Sequence, residues 1–482
     1  MELVDIIKQR KAKLKLFKEK GIELFPSKFL RSHSIEDLVN NFKPEIKVSI
    51  GGRIFAKRKH GKVCFCDLKD QDGKIQLYVK GDIIGQDNFS LFQELDIGDF
   101  IGVSGELFKT HTGEITVKVE EFTLLAKSLR PLPEKWHGLK DIQIRYRQRY
   151  LDLISNEEVK KVFEMRSKII AYIRSFLDKN GFMEVETPMM HYIPGGAAGK
   201  PFQTHHNELN MDLYLRIAPE LHLKRLLVGG FEKVYEINRS FRNEGVSTRH
   251  NPEFTMLELY SAYDNYRDMM KICQELIASC AQEILGKTKL TFAGKEIDLG
   301  AEWQQCSFAE VIKDKFGILP EDDVKIMIKK LSAKGRDIKE GKLTRMQVVR
   351  IVEDFLQEGQ SCAPVFFTDY FSILCPLAKN KTDNPLLSER FELFMGGMEV
   401  ANAYSELNDP IEQKARFIEE LKGDKDKKEL DEDYINALEH GMPPAGGLGI
   451  GIDRLVMIFL DQPAIRDVIL FPLLRLEKNK EE

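Results

Sequence analysis

Two stretches of the sequence are suited to binding carboxylates and phosphates: one combines arginine with glutamate and histidine, and the other places arginine after a run of glycines. The first contains Phe241-Arg-Asn-Glu244, Arg249-His-Asn-Pro-Glu-Phe254 and Glu258-Leu-Tyr260. The second is Gly446-Gly-Leu-Gly-Ile-Gly-Ile-Asp-Arg454. The planar guanidinium fork of arginine matches the oxygens of both groups. A glycine-rich string is a weak signal alone, so its meaning depends on the elements around it.

The composition is that of an ordinary globular protein. The 482 residues suffice for two to four domains, and 43% are hydrophobic and 31% charged. The net charge of −4, from 72 basic and 76 acidic residues, excludes nucleic-acid binding by gross charge but not by a local basic patch. No apolar run is long enough for a signal peptide or a membrane span, which predicts a cytoplasmic protein.

The seven cysteines favour a reducing compartment over a disulfide framework or a zinc site. Cys64-Phe65-Cys66 lies in a strand-like run, and no second pair completes a zinc ligand set. We expect core or surface thiols.

The first part of the chain predicts a helical segment at 1–45 and a β-barrel at 46–130. In residues 1–20, seven basic and three acidic residues surround an apolar stripe. This helix either docks by its stripe alone or also contacts phosphate. Period-two alternation and turn sequences then predict five strands: 46–56, 62–69, 73–80, 97–108 and 113–125. Five short strands in this length fit an OB-type barrel, although another small barrel fits the pattern too.

A linker at 131–145, opened by Arg130-Pro-Leu-Pro133, precedes a mixed α and β region at 146–482. Ser155-Asn-Glu-Glu158 predicts a capping box for a helix that ends near Gly181. Residues 308–360 predict a helical insertion between strand-rich segments, and 408–440 predict polar helices.

With Gly181-Phe-Met-Glu-Val-Glu-Thr-Pro188 in front of the other two blocks, the chain resembles the class II aminoacyl-tRNA synthetases in their motifs 1, 2 and 3. Leu215-Arg-Ile-Ala-Pro-Glu-Leu221 and Ser405-Glu-Leu-Asn-Asp409 are also similar. They indicate the lysine, aspartate and asparagine subclass, and within it a bacterial lysyl-tRNA synthetase. The resemblance implies an α+β fold: a five-stranded OB barrel that binds the anticodon, then a catalytic domain built on an antiparallel β-sheet flanked by helices.

The implied activity has two steps: ATP activates lysine as lysyl-adenylate with release of pyrophosphate, and lysine then passes to the 3′-hydroxyl of the terminal adenosine of lysine tRNA. The attacking carboxylate is already ionised, so catalysis rests on positioning and charge neutralisation. In the family pattern, Arg242 bridges the lysine carboxylate and the α-phosphate, and Arg454 holds the nucleotide near its γ-phosphate. A structural salt bridge is the alternative for each.

The resemblance also assigns residues to ATP and its metal. Glu244 accepts from adenine, His250 and Asn251 meet phosphate or ribose, and Phe254 stacks on the base or simply fills the core. Two acids seven residues apart mean little alone. In the context of Phe391-Glu-Leu-Phe-Met-Gly-Gly-Met-Glu399, however, Glu392 and Glu399 match the carboxylates that hold Mg²⁺ with ATP. Their spacing suits one side of a folded strand or turn.

The lysine pocket implied by the family must accept a buried ammonium group, which is costly without paired carboxylates. Glu258 and Glu406 are expected to close on the ε-ammonium, unless they are surface acids. An aspartate enzyme would need a cation in place of Glu406. The family residues around lysine match Gly196, Glu220, Arg242, Glu258, Tyr260, Asn402 and Glu406.

One strand of this pocket departs from the bacterial pattern. Ala401 and Ala403 stand where glycines are common, and Tyr404 stands where phenylalanine is frequent. The added methyl groups are expected to narrow the pocket or alter its response to lysine analogues without disturbing its charge.

For tRNA, the resemblance implies contacts on the barrel and a homodimer with motif 1, around Pro188, in its interface. Phe65 matches the position that stacks on an anticodon base, or it lies in the barrel core. Arg58, Gln76 and Glu114 are expected to contact base edges or phosphate, and Arg58 is otherwise simply solvated.

Two other functions compete with this interpretation. A paralogue that lysylates a protein usually lacks the OB domain, whereas residues 46–125 are present here. A catalytically dead OB-fold scaffold would not need Arg242, Glu392 or Arg454. Lysine-dependent ATP–pyrophosphate exchange excludes the scaffold, and charging of lysine tRNA excludes the protein modifier.

Overall fold

The computed structural model describes residues 2–133, 139–336, 338, 343–357, 362–423 and 429–475. The chain forms two compact units, Met1–Lys140 and Asp141–Glu482. Parts of the predicted linker, of the predicted insertion and of the stretch 408–440 lie outside the described residues. In the described part, no helix has the length and apolar character needed to cross a bilayer.

The first unit is a β-barrel with short helices. Its elements are α1 Leu3–Glu19, α2 Ile35–Asn40, β1 Lys47–His60, β2 Val63–Lys69, β3 Lys74–Lys80, α3 Gly81–Ile84, α4 Gln86–Glu94, β4 Phe100–Lys109 and β5 Ile115–Ala126. The strands close in the order β1-β2-β3-β5-β4. Only the β3–β5 pair is parallel. The predicted five-stranded OB barrel is therefore confirmed.

The barrel closes because each strand turns alternate side chains inward. In β2, Cys64, Cys66 and Leu68 are fully buried in the barrel core, and the residues between them face outward. Both cysteines of the CxC sequence thus pack as core residues. The helices α3 and α4, between β3 and β4, were not anticipated from the sequence.

The N-terminal helix α1 docks on this barrel through two buried side chains. Phe17 is fully buried and belongs to the barrel core. The guanidinium group of Arg10 donates to the carbonyl oxygens of Ser128 (2.8 Å), Arg130 (3.1 Å) and Ile97 (3.2 Å). Docking therefore uses Phe17 of the apolar stripe together with the guanidinium group of Arg10.

The second unit mixes helices and strands. Its helices are α5 Ile142–Arg147, α6 Arg149–Ser155, α7 Glu157–Lys179, α8 Glu220–Val228, α9 Tyr266–Leu285, α10 Phe308–Phe316, α11 Val324–Ala333, α12 Arg345–Gln357, α13 Pro410–Gly423, α14 Glu432–Glu439 and α15 Ile452–Phe459, with 3₁₀ turns at Ser372–Leu374 and Ile465–Asp467. Its strands are β6 Met183–Glu184, β7 Met190–His191, β8 Gln203–His206, β9 Met211–Leu215, β10 Lys233–Phe241, β11 Glu253–Ala262, β12 Lys289–Phe292, β13 Lys295–Asp298, β14 Gln304–Ser307, β15 Val365–Thr368, β16 Arg390–Met395, β17 Met398–Ser405 and β18 Ala445–Gly451.

An eight-stranded sheet organises this unit, in the order β14-β15-β16-β17-β18-β11-β10-β6. It is antiparallel except at the two edge pairs, β14–β15 and β10–β6. Apolar residues of α7, α9 and α15, such as Ile173, Leu276 and Ile458, are fully buried in one core with the sheet residue Leu257. The predicted antiparallel sheet flanked by helices is thus confirmed.

The helix α7 corrects one prediction and agrees with another. Ser155 is the last residue of α6, so it cannot cap α7. The N-cap of α7 is Asn156, whose side chain donates to Asp152 Oδ1 (2.6 Å) and caps no amide of the helix. The predicted capping box is therefore wrong. The helix ends as predicted, because Gly181 follows its C-cap with a φ of +80°.

Candidate active site

One cavity of about 460 Å³ opens on the sheet of the second unit. Residues from motifs 2 and 3 and from the connecting segments meet there, although they lie far apart in sequence. All of the residues predicted for catalysis, lysine, ATP and metal line this cavity: Gly196, Glu220, Arg242, Glu244, His250, Asn251, Phe254, Glu258, Tyr260, Glu392, Glu399, Asn402, Glu406 and Arg454.

The strand β11 supplies one wall through its period of two. Phe254, Met256, Glu258 and Tyr260 alternate along the strand, and all four line the cavity. The register with β18 places Glu258 opposite Gly449 and Tyr260 opposite Gly447.

Glycine is needed at Gly447 because the side chains of Glu406 and Tyr260 occupy the space above it. A Cβ atom on this residue would lie 2.0 Å from Glu406 Oε1 and 2.6 Å from Tyr260 Cε1. The glycine-rich string of motif 3 thus forms a floor on which these two side chains rest.

The acidic end of the cavity contains three buried glutamates. Glu220 lies in the first turn of α8, Glu258 on β11, and Glu406 just after β17. Their side chains are at most 7% exposed. Burial raises the pKa of Glu258 to about 8, and the nearby charge of Glu220 adds to the rise, while the Tyr260 hydroxyl, which donates at 3.2 Å, opposes it.

Two residues of this acidic end had been given no role from the sequence. Lys224, one turn after Glu220 on α8, is fully buried; its ammonium group donates to Glu220 Oε1 (2.6 Å) and forms an ion pair with Glu406 Oε2. The hydroxyl of Tyr404 donates to the same Glu220 oxygen (2.6 Å). The helical spacing from Glu220 was the one available signal for Lys224, since residues four apart share a helix face.

The middle of the cavity presents a guanidinium group over an aromatic ring. The Arg242 guanidinium carbon lies 5.2 Å from the centroid of the Phe254 ring. Its Nε is buried and makes no hydrogen bond to the described residues. Phe254 is half-buried and faces the cavity, so it is not plain core filling. An anionic ligand would satisfy this arginine.

The far end contains Arg454, positioned by the start of α15. Its Nη1 donates to the Glu399 carbonyl (2.6 Å) and side chain (3.3 Å), and its Nη2 lies 3.1 Å from His250 Nε2. Partial burial and the Arg454 charge lower the pKa of His250, which keeps this ring neutral. Next to Arg454, the buried Asp453 accepts from the Thr255 amide (2.7 Å) and anchors the helix to β11.

The two candidate metal ligands lie on a β-hairpin. β16 and β17 are joined by Gly396 and Gly397, both with positive φ. Glu392 is buried, accepts from Tyr370 Oη (2.8 Å) and pairs with Arg390; burial raises its pKa to about 8, the Arg390 charge opposes the rise, and the Glu399 charge adds to it.

The donor set of this hairpin fits a hard divalent cation. Both ligands offer carboxylate oxygens, and a bound cation would stabilise the ionised form of Glu392. A small hard cation such as Mg²⁺ usually takes one or two carboxylates and fills its remaining positions with phosphate oxygens and water.

Comparison with known proteins shows the family of the chain. Residues 141–475 match the family described as tRNA synthetases class II (D, K and N), and residues 48–125 match the OB-fold nucleic acid binding domain. Three of the most similar relatives are named lysine–tRNA ligase. The chain is 54% identical to that of Carboxydothermus hydrogenoformans, with 98% of this chain and 99% of the relative covered. The chain is 53% identical to the Pelotomaculum thermopropionicum relative, with 98% of this chain and 96% of the relative covered. It is 49% identical to the Bacillus cereus relative, with 98% of each covered.

The chain belongs to the lysine–tRNA ligase family of class II tRNA synthetases. Ala401 and Ala403 of β17, at the two positions where the resemblance led us to expect glycines, are both buried. Ala401 lines the cavity, whereas Ala403 packs in the core and is not part of the lining. Asn402 lies between them and accepts from Arg390 Nε (3.0 Å).

In this ligase the predicted anticodon residues gather on the outer face of the barrel. Phe65 is half-buried, and its side chain lies on the opposite face of β2 from the core residues beside it. It pairs across strands with Arg58 and Tyr78. It is therefore not a core residue. Arg58 is exposed and bonds to Asp67 (2.8 Å), which pairs across strands with Gln76.

The last of the four residues, Glu114, lies next to this group. The hydroxyl of Thr116 contacts both Gln76 Oε1 (3.1 Å) and the Glu114 carbonyl (3.2 Å). An aromatic row borders the group, with ring-centroid distances of 6.3 Å from His60 to Phe65, 5.5 Å from Phe65 to Tyr78 and 6.0 Å from Tyr78 to Phe108. Such a row is suited to stacking on unpaired bases.

Proposed function

We propose that this lysine–tRNA ligase makes lysyl-adenylate in the cavity of its second unit and transfers lysine to the 3′-hydroxyl of the terminal adenosine of lysine tRNA. The observation that carries the residue-level proposal is the union, in one cavity, of three buried glutamates with two arginines. The arginines suit carboxylate and phosphate, and the glutamates suit a cationic amino acid.

In the first step, Arg242 binds the lysine carboxylate and the α-phosphate and neutralises the charge that develops between them. Because its Nε makes no hydrogen bond within the part of the chain that the structure describes, this group is available for the role. The attack needs no general base, because the carboxylate is ionised. Phe254 stacks on adenine, Glu244 accepts from it, His250 and Asn251 contact phosphate or ribose, and Arg454 holds the γ-phosphate end.

At the other end of the cavity, Glu220 and the backbone at Gly196 hold the α-ammonium group. Glu258 and Glu406 hold the ε-ammonium group, with Tyr260 and Asn402 beside them. These buried glutamates discriminate lysine from amino acids with neutral side chains, because a neutral side chain offers them no cation to pair with.

Glu392 and Glu399 are proposed to bind Mg²⁺. When bound, the ion would neutralise phosphate charge and orient the triphosphate. The protein's own contribution is to keep Glu392 in place through Tyr370 and Arg390.

For tRNA, we propose that Phe65 stacks on an anticodon base and that Arg58, Gln76 and Glu114 contact base edges or phosphate. The functional division is a helical segment at 1–45, an anticodon domain at 46–130, a linker at 131–145 and a catalytic domain at 146–482 with its insertion at about 308–360. The enzyme acts in the cytoplasm as a homodimer, with motif 1 around Pro188 in the interface.

ATP–pyrophosphate exchange measured with each of the twenty amino acids tests the proposal. We expect a signal for lysine far above all others, and its loss in Glu406→Gln. Equal signals for several amino acids would overturn the assigned pocket. Charging of lysine tRNA then distinguishes the tRNA ligase from an enzyme that lysylates protein.

A further inference from the structure

Lys224 is a buried cation in a pocket that selects a cation. Its side chain has no exposed surface, and it lies outside the residues that line the cavity. It therefore approaches Glu220 and Glu406 from behind the cavity wall. Such a residue either competes with the substrate for these carboxylates or prepares them for it.

The contacts of the two carboxylates favour preparation. Lys224 forms its ion pair with Oε2 of Glu406, whereas Oε1 lies over Gly447; neither oxygen has a hydrogen-bond partner among the described residues. One oxygen of Glu406 is thus fixed by the protein and the other remains available. On Glu220, Lys224 and Tyr404 both bind Oε1.

The groups that face Lys224 explain why it remains charged. They are the carboxylates of Glu220 and Glu406 and the rings of Tyr404 and Tyr434. Burial by itself would lower the pKa of the lysine, but the two carboxylates outweigh burial and raise the pKa above its ordinary value. Burial raises the pKa of Glu406 above its ordinary value, and the charge of Lys224 opposes this rise without cancelling it.

We propose that Lys224 is a positioning residue for the substrate: its ammonium group balances part of the negative charge of Glu220 and Glu406 and holds both carboxylates in place for the cationic groups of lysine. When all three glutamates of the acidic end are ionised, the one lysine leaves an excess of two negative charges. A lysine substrate carries two ammonium groups, while Arg242 binds its carboxylate. The inference rests on the proposed function, since it assumes that these glutamates bind the substrate.

The test is the pH profile of the KM for lysine in pyrophosphate exchange, measured for wild type and for variants of Lys224. Lys224→Met removes the charge, Lys224→Gln removes it but keeps a donor and much of the volume, and Lys224→Arg keeps it. Lys271→Met, an exposed lysine on α9, is the unrelated control. The wild-type signal with lysine tests the proposed function separately.

For both uncharged variants we expect the KM for lysine at neutral pH to rise about 30-fold or more, since a buried charge loses its partner. The KM for ATP should stay within about threefold. Without the cation, a second glutamate besides Glu258 should hold a proton that must leave before lysine binds. The KM for lysine should then fall about 100-fold per pH unit in these variants, against about tenfold in the wild type.

A wild-type dependence of the KM for lysine on pH in Lys224→Arg would support a role for the charge itself. If all three Lys224 variants lose kcat while this pH dependence stays as in the wild type, the role of Lys224 is merely structural and the inference is overturned. An unchanged or lower KM in Lys224→Gln would show that Lys224 competes with the substrate. If Lys224→Met fails to fold, Lys224→Gln and Lys224→Arg still decide the question.

Discussion

Glu258 should make lysine binding depend on pH. In the free protein its pKa is about 8, so at neutral pH most molecules hold a proton there. An ammonium group pairs only with the ionised form. The affinity for lysine should therefore rise with pH up to the pKa, and the KM for lysine should fall about tenfold per pH unit between about pH 6 and 8. Pyrophosphate exchange at several pH values measures this.

The matched variant is Glu258→Gln, which cannot titrate. In this variant we expect a higher KM for lysine that is nearly independent of pH. The KM for ATP should be independent of pH in both proteins. A flat lysine profile in the wild type would contradict the role assigned to the Glu258 proton.

The acids of the pocket could be predicted from the sequence because they stand inside motifs, each beside recognisable neighbours. Lys224 could not, although it lies four residues after Glu220. A lysine on a helix is usually solvated. The burial of Lys224 depends on its ion pair with Glu406, which lies far from it in the sequence. The departure at Tyr404 was visible, but its hydrogen bond to Glu220 depends on the packing of β17 against α8.

At the scale of the elements, the strand β18 is expected to tolerate no side chain at Gly447. In Gly447→Ala, the new methyl group would overlap Glu406 Oε1, at 2.0 Å, and the rigid ring of Tyr260. The carboxylate must move, so the KM for lysine should rise by about 100-fold or more, in line with loss of a buried ion-pair partner. Lysine-dependent exchange and thermal unfolding together measure the effect.

Gly451→Ala is the control on the same strand. Its Cβ would meet only ordinary contacts, at 3.6 and 3.8 Å, and none of them involves Glu406. We expect at most a fewfold change in the KM for lysine. Equal damage from both substitutions would mean that the strand needs glycine for a reason other than the acidic pocket.

The elements themselves show which sequence patterns are reliable. The barrel strands were placed within a few residues because alternation and turn residues agree there. The capping box failed because Ser155 was read without the helix α6, which ends on it. The short helices α3 and α4, of four and nine residues, carry too little periodicity to stand out between strands.

For the molecule as a whole, the two units divide the proposed reaction. All residues assigned to adenylate formation lie in the second unit, and those assigned to the anticodon lie on the barrel of the first. Pyrophosphate exchange does not require tRNA, whereas charging requires both units. A substitution on the barrel should therefore affect charging while it leaves exchange intact.

Phe65→Ala makes this separation measurable. Loss of a stacked base is worth about 1–3 kcal/mol, so the KM for tRNA should rise about 5- to 150-fold. Exchange with lysine should be unchanged, because Phe65 lies on the outer face of the barrel. Phe100→Ala, a 37% exposed phenylalanine of the same barrel, should leave the KM for tRNA near the wild-type value. If both variants charge tRNA as the wild type does, the anticodon binds elsewhere on the barrel than the aromatic row.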